Sequence, residues 1–159
     1  MADSIRTMHA KDVISAKLAS CYITINGERF KLLQAKKFEA SIEKNKADVP
    51  ILGRTGVGHK STNWNGKGSM TIYSNTSLFT RLLKKYKDTG EDIYFTIQVR
   101  NEDKTSEAFG QTVILKDVNL DKGVITSFDA DGDWGEQDID FTFEDFEVPE
   151  EFKELDGMR

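Results

Sequence analysis

Cysteine is almost absent. Cys21 stands alone, so no disulfide can form within the chain. It sits beside Tyr22 in an apolar, strand-like run, the setting of a buried small hydrophobe rather than a reactive thiol. Histidine is nearly as scarce. His9 and His59 are the only two, neither near a cysteine or a patterned carboxylate, so a zinc site has no support. No apolar run approaches the roughly 18 residues of a membrane helix, and residues 1–20 lack the apolar centre of a signal peptide. The expectation is a protein made in, and soluble in, a cytoplasm, without membrane contact. A basic excess is missing too: formal net charge is −5 and the pI is about 5.1. Nucleic-acid binders carry a basic stripe or a pI above about 9, so stable DNA or RNA binding is not expected. No nucleophile elbow and no spaced acid pair occurs, and nothing argues for an enzyme.

What is present suits one soluble domain over residues 1–159, with 38% hydrophobic and 31% charged residues. Residues 1–20 are weakly patterned and read as an arm with a short helical turn. In "CYITINGERFKLLQ", Asn26-Gly27 lies between two β-rich runs, the strongest short hairpin signal, because both turn positions need φ > 0. "KKFEASIEK" alternates, with Phe38, Ala40 and Ile42 on one face. "GSMTIYS" puts Met70 and Ile72 on one face. "TSLFTRLLKKYKDTG", residues 76–90, is the one clear helix. Thr76 or Ser77 suits its start, Leu78, Phe79, Leu82, Leu83 and Tyr86 form its stripe, and Gly90 fits the left-handed end position. "DIYFTIQV" places Ile93, Phe95, Ile97 and Val99 together. "QTVILKDVNL" and "GVITSFDA" read as strands around a turn at Asp121-Lys122-Gly123. "DIDFTFEDFEV" sets Ile139, Phe141 and Phe143 opposite Asp138, Asp140, Thr142 and Glu144. The sum is a mainly β fold, an antiparallel sandwich or barrel carrying one amphipathic helix.

Two stretches come close to known motifs. Gly53 and Gly58 have the separation of a phosphate loop, G-x-x-x-x-G-K-[ST]. His59 stands where the lysine belongs, Lys60 and Ser61 come one residue late, and a strand follows instead of a helix N-terminus. Nucleotide binding fails on chemistry and on context. In "DADGDWGEQDID", Asp129, Asp131 and Asp133 match the first ligand positions of an EF-hand loop. Trp134 occupies the glycine position, and Asp140 stands where Glu is usual. An acidic hairpin turn is the better reading, with calcium binding the alternative.

From about Lys44 to Lys67 the chain shows no period. A loop that long inside a compact domain is usually functional or disordered, yet this one carries Val49, Pro50, Ile51, Leu52 and Trp64, which a plain linker avoids. Ordering roughly 20 residues costs about 1–2 kcal/mol each, whereas burying Ile51, Leu52 and Trp64 returns about 1.5–3 kcal/mol each. Side-chain burial alone loses. The stretch is expected to be mobile in the lone subunit and ordered where neighbouring copies supply backbone pairing. Val49, Pro50, Ile51, Leu52 and Trp64 are the candidate inter-subunit contacts.

"QAKKFEASIEKNKADVPILGRTGVGHKSTNWNGKGSMTIY", "YKDTGEDIYFTIQVRNEDKTS" and "TVILKDVNLD" resemble the tail tube proteins of PBSX-like prophages and related contractile bacteriocins. The resemblance covers nearly the whole chain, is weakest after Pro149 and says little about residues 1–20. It implies a sandwich-like β fold with one helix, assembled as hexameric rings that stack into the inner tube of a contractile tail. It brings no catalytic residues, cofactor or metal. The partners it implies are further copies of the chain, the tail sheath protein, and baseplate and terminator proteins. The place it implies is a virion or phage-tail-like particle assembled in a bacterial cytoplasm. Residues 45–67 would be a long hairpin reaching a neighbouring ring. An acidic bore that leaves DNA mobile fits the charge balance, with Asp138 and Asp140 as candidate contributors. The alternatives are an acidic β-sandwich binding module using the Asp129–Asp140 turn for calcium, or a tube protein of a related secretion system.

Overall fold

The computed structural model describes residues 6–159. Among them are eight strands and one α-helix: β1 (Ser20–Ile25), β2 (Glu28–Lys31), β3 (Ala35–Val49), β4 (Gly58–Tyr73), α1 (Leu78–Thr89), β5 (Phe95–Glu102), β6 (Gly110–Lys122), β7 (Glu136–Phe143) and β8 (Asp145–Glu150). The strands follow the order β2-β1-β5-β6-β7-β4-β3, and β8 pairs with β6. The expected mainly β, antiparallel fold with a single helix is therefore present. Chain contacts gather into two compact units, and β6 gives its first half to one and its second half to the other.

The first unit comprises the described residues up to Leu33 together with Thr96–Leu115 and Phe146–Arg159. Asn26 (φ 50) and Gly27 (φ 82) make the tight turn between β1 and β2, because this hairpin geometry demands positive φ at both positions. Cys21, Ile23 and Ile25 alternate into the core beside Ile97, with Cys21 opposite Val99 and Ile23 opposite Ile97. Burial pushes the Cys21 thiol up to about 11, since a thiolate there loses its hydration.

The expected arm is tied down from its tenth residue onward; residues 1–5 lie outside the described residues. Short 3-10 turns occupy Ala10–Asp12 and Ala16–Leu18. The Ser106 hydroxyl donates to the Asp12 carbonyl at 2.8 Å, and the Glu107 N–H to Asp12 Oδ1 at 3.0 Å. The Ser15 N–H reaches Asp103 Oδ2 at 3.2 Å. Asp103 is held below the ordinary carboxylate range first by the Thr105 hydroxyl, then by the Thr105 and Ser15 N–H groups.

The second unit comprises Gln34–Phe95 and Lys116–Asp145. Its centre is the pairing of β4 with β7, Gly66 with Phe143, Gly68 with Phe141, Met70 with Ile139 and Ile72 with Gln137. Met70, Ile72, Ile139, Phe141 and Phe143 are buried, as their alternation predicts. Small faces large across this pair. A Cβ on Gly66 would lie 2.6 Å from the Phe143 ring, and one on Gly68 2.5 Å from Phe141 Cε2 and 2.8 Å from the Glu39 carbonyl. The two glycines are thus the floor on which the phenyl rings rest. Phe38 completes the layer, stacked on Phe141 with centroids 5.6 Å apart.

Helix α1 buries Leu78 and Phe79, whereas Leu82 and Leu83 are half-covered. Gly90 takes the left-handed end position at φ 71, its N–H donating to the Tyr86 carbonyl. Thr76 Oγ1 accepts the Leu78 N–H at 3.4 Å, while Ser77, at the cap position, makes no side-chain cap.

One expectation fails. "GVITSFDA" is not a strand: β6 ends at Lys122 and the chain runs irregularly to Glu136. Every residue from Ile125 to Ala130 is exposed, so the segment has no face in the core to hold it as a strand. The 44–67 stretch, which from its residues alone reads as an aperiodic loop, is the hairpin that the resemblance implies. β3 extends to Val49 and β4 starts at Gly58, paired with each other throughout. Within the subunit, its backbone pairing is supplied by the chain's own return strand.

Candidate assembly surface

Beyond the last β4–β7 pair, Gly66 with Phe143, β3 and β4 continue as a two-stranded ribbon. At about 3.3 Å per residue, its eight residues from Gly58 to Asn65 stretch about 26 Å past the sheet. Every residue from Ser41 to Asn65 is exposed apart from half-covered Gly58. With both faces wet, there is no inward side for an alternating pattern to mark.

The ribbon's own contacts are few and solvated. Asn45 pairs with Asn63, side-chain amide to side-chain carbonyl, at 2.6 Å, and Thr62 Oγ1 donates to the Asn45 carbonyl at 3.0 Å, where the register slips by one residue. His59 Nδ1 lies 3.0 Å from Asp48 Oδ1, both side chains more than half exposed. The cross-strand register, which is not visible in the spacing of the sequence, brings Asp48 opposite it. An exposed pair of this kind contributes about 0–1 kcal/mol, and an isolated two-stranded hairpin is marginal in water.

At the tip, Ile51-Leu52-Gly53-Arg54 closes on an Arg54 N–H to Ile51 carbonyl bond of 3.2 Å. Gly53 has φ 83, the third-position geometry of a type II turn. Ile51 folds back on the ribbon, its Cδ1 2.9 Å from where a Cβ on Gly58 would stand. Leu52 does the opposite and is fully exposed, at 103%.

The five candidate contacts therefore separate. Val49, Pro50, Ile51 and Leu52 cluster at the tip with Val57, all exposed. Trp64 stands far from them at the base, its ring 6.3 Å from Phe143. It borders an open hollow of about 410 Å³ with Asn65, Gly66, Lys67, Thr142, Phe143 and Glu144. Sequence reasoning missed Val57 and Arg54 at the tip, although both stand within the 44–67 stretch. It also missed Ile125, Phe128 and Trp134, all well exposed between β6 and β7. The signal for these was three large apolar residues around an acidic run.

The two motif candidates lie in strands and turns. Gly58, His59, Lys60 and Ser61 lie within β4, so no helix N-terminus faces the loop. The Asp129–Asp140 segment is part turn and part strand. Asp129 Oδ1 accepts the Asp131 N–H at 3.0 Å, the Gly132 N–H closes on the Asp129 carbonyl at 3.1 Å, and Asp138 and Asp140 belong to β7. Among the described residues, no group of three His, Cys, Asp or Glu side chains is placed to hold a metal ion, and no helix is long and apolar enough to cross a membrane.

An antiparallel sheet with one helix and a projecting, exposed ribbon is the architecture that carries these residues. The chain belongs to the phage tail tube protein family, whose model matches residues 6–150. It is 41% identical over 147 residues to the phage-like element PBSX protein XkdM of Bacillus subtilis (strain 168), covering 92% of this chain and 97% of that protein. A chain of the PVC extracellular contractile injection system, in its sheath–tube complex in the extended state, shares the fold. The TM-score is 0.65 at 9% identity, over 87% of this chain and 93% of that one. The SPP1 tail tube shares it as well, with a TM-score of 0.63 at 9% identity over 89% and 81%. The role of this chain is structural, in the tube of a tail or tail-like particle.

Proposed function

We propose that the chain polymerises with itself, as hexameric rings that stack into the inner tube of a contractile phage tail or phage-tail-like particle. The observation that carries this reading is the ribbon. A subunit that worked alone would gain nothing from about 26 Å of doubly exposed hairpin ending in a fully exposed leucine. Between neighbours, its tip would be buried and its backbone held. Contacts weak singly become strong when rings present several at once. The reading includes no catalysis and no cofactor. Sheath, baseplate and terminator proteins are the further partners, consistent with fold relatives that come from a sheath–tube complex and from a baseplate. Assembly would take place in the bacterial cytoplasm.

Asp138 and Asp140 lie on the outward face of β7, where Asp138 accepts the Thr71 hydroxyl at 2.7 Å. In this reading they help to line an acidic bore past which DNA slides without being held.

Electron microscopy of the concentrated protein tests the proposal: rings and tubes are expected. Leu52→Asp should fold normally, within about 0.5 kcal/mol of the parent as exposed substitutions do, and form no tubes. Tubes of normal length from Leu52→Asp would remove the tip from the contact.

A further inference from the structure

Strand β4 has two ends, and both carry exposed apolar side chains. One end is the ribbon tip. The other is the β6–β7 loop, which returns to the sheet where Glu136 pairs with Tyr73 and the Ser74 N–H donates to the Gly135 carbonyl at 3.0 Å. The sixteen residues of β4 separate them by about 50 Å of strand. In the loop, Phe128 is 94% exposed, with Ile125 and Trp134 also largely bare. Trp134 is held in place, its indole N–H donating to Glu136 Oε1 at 2.7 Å, while Lys36 Nζ holds the same oxygen at 2.6 Å.

The charges of the two ends are opposite. Between Val49 and Gly58 the only charged residue is Arg54, whereas from Val124 to Gly135 stand Asp129, Asp131 and Asp133 and no cation. Two different surfaces at opposite ends of one strand, joined between copies, would make a head-to-tail contact, the kind that propagates into rings or filaments rather than closing as a dimer.

We propose that the ribbon tip of one copy seats on the β6–β7 loop of the next, Leu52 against Ile125 and Phe128, and Arg54 among Asp129, Asp131 and Asp133. This rests on the self-assembly proposed above and names the surface that receives the tip. Charge complementarity sets the orientation; the apolar side chains, which single subunits leave in water, supply the burial.

Cysteine cross-linking tests it beside the contact rather than in it. Thr55→Cys with Ser127→Cys leaves Leu52, Arg54 and Phe128 in place, and native Cys21 is buried. Oxidised tubes of this double variant should give a covalent ladder well beyond dimers, because each copy carries one head and one tail. Either single variant should give none. Tubes without a ladder, or an equal ladder from Thr55→Cys with Lys85→Cys beside the hollow lined by Leu82, Leu83 and Tyr86, would overturn the docking surface and leave self-assembly standing. Failure of the unmodified protein to form rings or tubes would defeat both. Independently, Arg54→Glu should raise the concentration needed for assembly at least tenfold, and Asp131→Lys in the same chain should recover much of that. If Asp131→Lys recovers nothing, the charge pairing is refuted.

Discussion

Gly68→Ala adds one methyl group at the most crowded point of the second unit. The new Cβ would stand 2.5 Å from Phe141 Cε2 and 2.8 Å from the Glu39 carbonyl oxygen, well inside van der Waals contact on two sides. Neither neighbour yields cheaply. Phe141 is 1% exposed and already stacked on Phe38, and Glu39 is fixed by its pairing with Ser69. Overpacking of this kind costs about 1–3 kcal/mol, and the stiffer unfolded chain of alanine offsets about 0.4–1 kcal/mol. The net expectation is a loss of about 1–2 kcal/mol. For a chain of this size, that lowers Tm by about 2–8 °C. Gly56→Ala is the control, since a Cβ there meets nothing within 4 Å, and it should stay within about 0.5 kcal/mol of the parent. Thermal and urea unfolding of both variants, and of Gly68→Ala combined with Phe141→Leu, measure the effect. The double variant should be less destabilised than its separate losses sum to, because the shared clash is relieved. If Gly68→Ala unfolds like Gly56→Ala, the glycine–phenylalanine layer is not what packs this unit.

Other outcomes follow from the same geometry. Cys21 should react with a thiol reagent at pH 8 only as fast as the protein unfolds, since burial holds its thiol at about 11; rapid labelling of the native chain would contradict its burial. Asp103 is depressed below its ordinary value of 3.8, so it stabilises the folded arm fully above that pH, and the contribution is lost as pH falls through the lower, folded value. Amide exchange at Ser15 and Thr105 should accelerate through that acid window, and Asp103→Asn should show fast exchange there already at neutral pH. Exchange unchanged by Asp103→Asn would mean the arm is held elsewhere. Phe141→Ala should cost about 3–5 kcal/mol, read from the urea midpoint, and a loss below about 1 kcal/mol would place the core elsewhere.

What the sequence made legible follows from what each residue faces. β4, β5 and β7 were readable where one side of the strand lies in the core, because Met70, Ile72, Phe95, Ile97, Ile139 and Phe141 alternate with wetter neighbours. The Asn26-Gly27 turn was readable because its backbone requirement is written in residue type. Periodicity did not show the ribbon, since a hairpin wet on both faces leaves no alternation; the family resemblance alone implied a hairpin there. The role of Gly66 and Gly68 was hidden as well, because the phenyl rings they face lie more than seventy positions away. The 123–135 segment misled in the opposite sense, with apolar residues suggesting a strand where Ile125, Phe128 and Trp134 instead stand exposed. The Asp12 and Asp103 clasp was invisible because the partners of Asp12 lie up to 95 residues away.

Amide exchange along Ile42–Asn65, followed in the dilute subunit and again in assembled tubes, tests the central claim most directly. Outward of Trp64, whose ring lies near Phe143, the backbone pairing of the ribbon is that of β3 with β4 and its side chains are exposed, so its amides should exchange through frequent local opening and slow at least tenfold once neighbouring copies enclose it. Equal rates in the two states, or amides already slow in the dilute subunit, would contradict the assignment of the ribbon to contacts between copies.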